Sequence, residues 1–221
     1  MKLNLAPPDE ALRDTPIYRS VPAEVAGKAL VTPAGGRLPV RIPLEVDNIW
    51  EWLRPARYPS RRFCAFGSPS PSLARESGPP YGVVCRVLIK PPARIAQLRT
   101  VSDARHHPDV KSLTALLARH RHAARTAAAL HSHFLDREQT AEILSHDAGL
   151  SRSIQRACRY WLDTDLWDGL SPAAIDPTGE IIFSAPDGYF LEPLGGSFGA
   201  ESSVSAESQV HSRTRATGST S

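Results

Sequence analysis

The clearest pattern along the chain is an alternation of apolar and polar positions between Tyr81 and Ile89. Every second residue of this run is apolar or aromatic, whereas Arg86 and Lys90 fall on the opposite face. A period of two predicts a β-strand. Two shorter apolar runs, 17–21 and 62–66, predict strands upstream of it. Most of the 20 prolines lie in residues 1–92 and break this front part into short elements.

A short helix is predicted between the second and third strands. Ser70 supplies a capping hydroxyl, Pro71 stands at the first helical position, and Gly78 marks the stop. Further along, apolar residues recur at helical spacing from Ser112 to Phe134, which predicts one long amphipathic helix.

Two more helices follow in the pattern. Asp136 and Gln139 have the spacing of a capping box, which predicts a helix ending near Gly149. Ser151 is the expected cap of the next one, whose apolar face begins with Ile154.

The chain then returns to an extended pattern in 179–183 and 188–194, and the turn residues between these segments are compatible with an antiparallel hairpin. After residue 200 the chain is rich in Ser and Thr and poor in large aliphatics. We therefore expect an α+β fold: a single domain over 1–199, with a helical insertion at about 103–166, and a disordered Ser/Thr-rich tail over 200–221.

Composition narrows the classes of function only slightly. The 26 Lys and Arg against 23 Asp and Glu give a net charge of +3, too small to indicate nucleic-acid binding by itself. Arginine heavily outnumbers lysine, which favours bidentate contacts to phosphate or carboxylate. The 3 cysteines cannot all pair within the chain, which favours a reducing compartment. His120 and His122, like His131 and His133, are two residues apart on a predicted helix, and this spacing predicts no metal site.

No apolar run approaches the roughly 20 residues that span a bilayer, and the first residues lack the apolar core of a signal peptide. We expect a cytoplasmic protein that does not act at a membrane. Release into a host or target cell would need export machinery that reads no conventional signal.

Three elements carry residues suited to chemistry. An early strand bears Tyr18 and Arg19. A second strand runs into the turn Gly67-Ser68-Pro69-Ser70-Pro71 and the short helix. A late strand opens with Glu180.

With these elements in this order, the chain resembles the ADP-ribosyltransferase superfamily, in particular its toxin-like and effector-like members. The resemblance covers about the first 90 residues and about 15 near the end. It implies an ADP-ribosyltransferase-like split β-sheet core and NAD as a substrate. It also implies a bacterial toxin or effector with a macromolecular acceptor, protein or nucleic acid, and an antitoxin or immunity protein as a candidate partner.

The resemblance also assigns roles to residues. Glu180, Arg19 and Ser68 would be catalytic. Glu180 would stabilise the oxocarbenium-like transition state and hold a ribose hydroxyl. Arg19 would bind a phosphate or ribose of NAD, and Ser68 would orient the nicotinamide ribose. The implied NAD-binding residues are Arg19, Tyr18, Ser68, Ser70 and Tyr81, the tyrosines by stacking on the nicotinamide ring.

One position departs from the pattern of the arginine-directed members. These usually carry Glu or Gln two residues before the catalytic glutamate, where this chain has Thr178. Another acceptor, or simple hydrolysis of NAD, therefore stays open.

Two rival functions remain. A non-catalytic module would bind nucleic acid or an acidic partner through an Arg-rich segment that also carries Trp50, Trp52 and Tyr58, and through a basic helix face. The arginines concerned are Arg54, Arg57, Arg61 and Arg62 in the segment and Arg119, Arg121 and Arg125 on the helix. A basic loop packed by its own aromatics is the slightly favoured interpretation of the segment, which could equally dock the adenosine end of NAD. An enzyme of the same fold that removes a phosphate from RNA ends is the second rival, and it needs several basic residues around its site.

Overall fold

The computed structural model describes residues 15–27, 30–31, 36–120, 124–167, 169 and 174–195. The predicted tail, Arg121 and His122 lie outside these residues. The described strands are β1 (Tyr18–Val21), β2 (Ala65–Gly67), β3 (Val83–Ile89), β4 (Arg94–Leu98), β5 (Thr164–Leu166), β6 (Glu180–Ser184) and β7 (Tyr189–Pro193). The described α-helices are α1 (Leu44–Leu53), α2 (Pro71–Ser77), α3 (Pro108–Arg119), α4 (Ala124–Ser132), α5 (Arg137–Ser145) and α6 (Ala148–Ala157). None of these helices has both the length and the apolar character needed to cross a membrane.

The strands form two antiparallel sheets, which confirms the predicted mixture of helix and sheet. One sheet has the order β1-β3-β7, and the other has the order β2-β6-β4-β5. The sheets pack against each other through a core that includes Val87 of β3 and Phe183 of β6. The opposite face of the four-stranded sheet, with Ile182 and Leu98, packs against the helices. The fold therefore has three layers, with the four-stranded sheet in the middle.

This layering explains why β6 is apolar on both faces. Ile181 and Phe183 contribute to the core between the sheets, whereas Ile182 contributes to the core beneath the helices. Each is almost completely buried. Burying a side chain of this size contributes roughly 1.5–3 kcal/mol, so β6 is held firmly from both sides. Its first residue, Glu180, is thereby fixed in position.

Several local predictions are confirmed. The helix α2 begins after Ser70, whose hydroxyl accepts a hydrogen bond from the backbone of Leu73, and it stops at Gly78. The helix α5 begins with both hydrogen bonds of the capping box between Asp136 and Gln139. These signals act over three or four residues, and nothing in the tertiary structure overrides them.

Other boundaries differ from the predictions. The second strand begins at Ala65 rather than at residue 62, because residues 61–63 form a turn in which the Phe63 N–H donates to the Ser60 carbonyl at 3.1 Å. The predicted long helix is two helices: α3 ends at Arg119, and His120 has a non-helical ψ of 94°. The helix α6 is capped by Asp147 and not by Ser151.

The predicted hairpin near the end of the chain is wrong. The strands β6 and β7 belong to different sheets, since β6 pairs with β2 and β4 whereas β7 pairs with β3. The turn between them carries the chain from one sheet to the other. The helical layer is also more than the predicted insertion, because α1 lies far upstream and packs on α3, α4 and α5.

The two sheets are joined edge to edge where β1 meets the end of β2. The backbone N–H of Tyr18 donates to the carbonyl of Ser68 at 2.9 Å, and the N–H of Ser68 donates back at 2.8 Å. Gly67 permits this approach, because a Cβ there would lie 2.4 Å from Cγ2 of Ile17 and 3.2 Å from the Tyr18 carbonyl oxygen. A glycine is therefore needed at this junction.

We predict that Gly67→Ala destabilises the protein by about 1–3 kcal/mol, the usual cost of forcing an extra methyl group into a packed site. Urea unfolding measures the change. Gly149→Ala, in the first turn of α6, is the matched control, because the added Cβ meets only Asp147 Oδ1, at 3.3 Å. Equal stability of the two variants would contradict the close contact between the sheets.

Candidate functional site

A cavity of about 570 Å³ opens at the junction of the two sheets. We call it the arginine cavity, after the six arginines that line it: Arg19, Arg37, Arg41, Arg61, Arg62 and Arg105. Tyr18 and the three residues assigned to catalysis, Arg19, Ser68 and Glu180, also line this cavity. Residues far apart in the sequence thus meet in one place.

Strand pairing explains why these residues lie close together. The paired backbones of Tyr18 and Ser68 bring Arg19 next to the end of β2. In the pairing of β2 with β6, Gly67 lies opposite Ile181. One step further along an antiparallel pair therefore places Ser68 beside Glu180.

The start of β6 is itself fixed by a tight turn. Asp176 Oδ1 accepts hydrogen bonds from the backbone N–H groups of Thr178 and Gly179 at 2.8 and 2.9 Å, and from the Thr178 hydroxyl at 2.7 Å. At Gly179 a Cβ would lie 2.1 Å from the Leu98 carbonyl oxygen. Thr178 is thus a turn residue, with its hydroxyl occupied by Asp176.

Glu180 is 7% exposed, and both of its carboxylate oxygens are occupied. Oε1 accepts a hydrogen bond from Arg61 Nη1 at 2.5 Å, and Oε2 accepts one from the backbone N–H of Ala104 at 3.2 Å. The negative charge of Glu180 is thus compensated by a buried cation. Each oxygen still has lone-pair capacity for a further hydrogen bond.

Arg61 is enclosed by aromatic rings. Its guanidinium carbon lies 4.7 Å from the ring centroid of Phe66, 5.4 Å from that of Tyr160 and 5.7 Å from that of Trp50. Its Nη1 also donates to the Tyr160 hydroxyl at 2.7 Å. Burial, the largest single influence, lowers the pKa of Arg61, but the charge and hydrogen bond of Glu180 together with Tyr160 and Cys64 raise it by more, so the pKa is raised overall. Burial also raises the pKa of Tyr160, so its hydroxyl stays protonated.

Arg19 reaches the cavity from β1. One of its guanidinium nitrogens donates to the Tyr189 hydroxyl, and the guanidinium lies 5.5 Å from the centroid of that ring. Ser68 is buried, and its hydroxyl oxygen lies 3.5 Å from that of Ser77. Both side chains are anchored on one side and keep polar atoms for a ligand.

A second buried ion pair supports the cavity wall. Arg62 Nε donates to Asp47 Oδ2 at 2.8 Å, and its Nη2 donates to Asn48 Oδ1 at 2.7 Å. Burial raises the pKa of Asp47, and the Arg62 charge opposes that rise. Asn48 in turn donates to the carbonyls of Leu130 and His133, both at 2.8 Å. Arg62 thus ties the cavity to α1 and α4.

The surface interpretation of the Arg-rich segment is wrong for its last two arginines. Arg61 and Arg62 are buried, Trp50 is 1% exposed, and Arg54 pairs with Glu51 at 3.0 Å. The alternative of a loop packed by aromatics agrees better with the structure, although Trp50 and Trp52 belong to α1. The predicted basic helix face is interrupted as well, because Arg119 ends α3 and Arg125 belongs to α4.

Two residues assigned to NAD binding lie elsewhere. Ser70 does not line the cavity, because its hydroxyl caps α2. Tyr81 does not line it either: the ring is fully exposed, and the residue has a φ of 60°. It occupies a turn closed by the Gly82 N–H donating to the Pro79 carbonyl at 3.0 Å. In this structure the Tyr81 ring therefore lies outside the cavity, where a nicotinamide would have to be stacked.

Sequence reasoning missed three arginines of the cavity. Arg37 and Arg41 lie on the irregular segment that forms the rim, and Arg105 follows Ala104 in a single 3-10 turn. The segment 37–42 has apolar residues at 38, 40 and 42, but Pro39 interrupts it and Leu38 and Val40 are exposed, so it forms no strand here. The four acidic lining residues are Asp47, Glu76, Asp103 and Glu180. Six arginines against four acids leave two positive charges in excess.

The described residues hold no cluster of three or more His, Cys, Asp or Glu side chains that could bind a metal ion. Cys64, Cys85 and Cys158 are free and buried. Burial raises the pKa of Cys64 to about 12, and burial raises the pKa of Cys85 and of Cys158 too. None of them is a reactive nucleophile at neutral pH.

We predict that Glu180→Gln lowers the free energy of unfolding by about 3–5 kcal/mol, because it leaves the Arg61 charge buried without a carboxylate. Urea unfolding measures the loss. The double variant Arg61→Gln/Glu180→Gln removes both charges and should be more stable than Glu180→Gln. Glu192→Gln, at an exposed position on β7, is the control. The buried pair would not be the cause if the loss of unfolding free energy in the double variant equalled the sum of large losses in Glu180→Gln and Arg61→Gln alone.

We predict further that none of the 3 cysteines reacts with Ellman's reagent in the native protein at pH 8. Their raised pKa values keep them as thiols at this pH, and burial blocks access. All should react once the chain is unfolded in guanidinium chloride. A thiol that reacts within seconds under native conditions would contradict the packing around it.

Comparison with known proteins adds no further assignment: no protein-family model, no curated protein and no solved structure matches this chain.

Proposed function

We propose that the chain is an NAD-dependent ADP-ribosyltransferase that modifies a macromolecular target. One observation carries the proposal: Arg19, Ser68 and Glu180, chosen from separate sequence elements, line the same cavity. The two antiparallel sheets, joined at Tyr18 and Ser68, are compatible with the split β-sheet core of that superfamily.

The chemistry breaks the bond between nicotinamide and ribose and passes through an oxocarbenium-like cation. A carboxylate fixed beside the ribose stabilises a transition state of this kind without reorganising. Because Arg61 compensates its charge, Glu180 acts here mainly as an oriented hydrogen-bond acceptor for a ribose hydroxyl. Arg61 and the Ala104 N–H hold both carboxylate oxygens in place for this role.

Arg19 is suited to the anionic part of NAD. A guanidinium fork binds two oxygens of one phosphate, which a lysine ammonium cannot reproduce. Its contact with Tyr189 fixes one edge of the fork and leaves other N–H groups for the ligand. Ser68 lies between Arg19 and Glu180 along the paired strands and would hold the ribose.

The charge of the cavity bears on the acceptor. Two excess positive charges repel a cationic side chain, and Thr178 stands where arginine-directed members carry an acid or amide. We therefore propose a neutral or anionic acceptor on protein or nucleic acid, with hydrolysis of NAD as the reaction in its absence. A bacterial toxin or effector role, with an antitoxin or immunity protein as partner, belongs to the same proposal.

A second candidate is the NAD-dependent removal of a phosphate from RNA ends. It is favoured by the six arginines of the cavity, since this chemistry needs several cations around the transferred phosphate. A non-catalytic binding module is less well supported, because Arg61 and Arg62 of its proposed surface are buried.

The test is release of nicotinamide from NAD by the purified chain. Arg19→Gln and Ser68→Ala should each lower the rate, Arg19→Gln by roughly 100-fold, the usual effect of losing one oriented donor. Neither side chain forms an ion pair in the described structure, so both variants should fold. Arg152→Gln, at an exposed position on α6, is the matched control and should keep the wild-type rate.

Label on the adenosine half of NAD separates the candidates. Label on lysate protein or nucleic acid supports transfer, label in free ADP-ribose supports hydrolysis, and loss of a terminal phosphate from RNA supports the second candidate. No release of nicotinamide under any condition, or equal rates in Arg19→Gln and the wild type, would contradict the proposed function.

A further inference from the structure

Arg19, Arg37 and Arg61 all line the arginine cavity. The guanidinium groups of Arg37 and Arg61 lie 4.1 and 4.7 Å from the ring centroid of Phe66. The pKa of Arg37 is lowered, mainly by partial burial and further by the nearby charges of Arg61 and Arg19. Like charges held together in this way are unfavourable unless an anion lies among them.

Only one of the three has a carboxylate partner. Arg61 pairs with Glu180, whereas within the described part of the chain no acidic side chain lies within salt-bridge distance of Arg19 or Arg37. Arg19 uses one of its five N–H donors on Tyr189. Arg37 is anchored by its backbone, whose N–H donates to the Arg62 carbonyl at 3.0 Å, and by its stack on Phe66.

These two side chains are therefore held in place while most of their donors stay free. A guanidinium fork matches a single phosphate group, and two forks match two phosphates. The excess of two positive charges among the lining residues equals the charge of a diphosphate diester such as that of NAD, with one negative charge on each phosphate. A single carboxylate would leave one fork unused.

We propose that Arg19 and Arg37 form a binding site for a diphosphate ester, with one phosphate held by each arginine. In turnover the diphosphate would be that of NAD, and to this extent the inference rests on the proposed function. The site itself follows from the two arginines and requires no reaction.

The experiment titrates ADP, AMP and adenosine into the full chain by calorimetry at fixed low salt. ADP should bind at least tenfold more tightly than AMP, and adenosine should bind most weakly, because each lost phosphate removes one bidentate contact. The affinity for ADP should fall as salt is added. Equal affinities for ADP and AMP would overturn the diphosphate assignment.

Variants test the assignment to Arg37. Arg37→Gln should weaken ADP binding at least tenfold, Arg37→Lys should lie between it and the wild type, and Arg152→Gln should not change it. Thermal unfolding confirms that each variant is folded. Wild-type affinity of Arg37→Gln for ADP would overturn the proposal.

The outcome is separable from that of the proposed function. Ser68→Ala should keep its affinity for ADP even where nicotinamide release is lost. Binding of ADP as predicted, without any consumption of NAD, would uphold the diphosphate site and refute the transferase. Consumption of NAD with ADP affinity unaffected by Arg37→Gln would do the reverse.

Discussion

The buried ion pair between Arg61 and Glu180 holds the candidate site together. It links the segment before β2 to the first residue of β6, and through Tyr160 it reaches the helical layer. A charge removed from water must be paired, so each partner fixes the other. The position of Glu180 in the cavity is thus a consequence of the fold and does not need a bound ligand.

The same ion pair changes the chemical role inferred for the Glu180 carboxylate. From sequence it is a strand residue that the resemblance makes a free catalytic carboxylate. In the structure it is a neutralised, doubly hydrogen-bonded acceptor, and the net positive charge of the cavity comes from arginines elsewhere. The proposed function would therefore use different side chains of one cavity for binding phosphate and for binding ribose.

Local signals predicted much of the fold. The caps of α2 and α5 and the alternation in β3 act over a few residues, and they were sufficient to find these elements. The predictions that fail concern features set by tertiary structure. The strands β6 and β7 do not pair with each other, because each pairs with a strand far away in the sequence. The same holds for the candidate site. Arg19, Ser68 and Glu180 stand in sequence patterns that resemble a known family. Arg37 and Arg61 are placed in the cavity only by their contacts with Phe66 and Glu180.

An experimental structure of the chain with a non-hydrolysable NAD analogue would test most directly whether the arginine cavity binds NAD as proposed. We expect the nicotinamide ribose within hydrogen-bond distance of Glu180 and Ser68, with the phosphates against Arg19 and Arg37. An analogue bound outside the arginine cavity, or bound there with its ribose away from Glu180, would contradict this proposal.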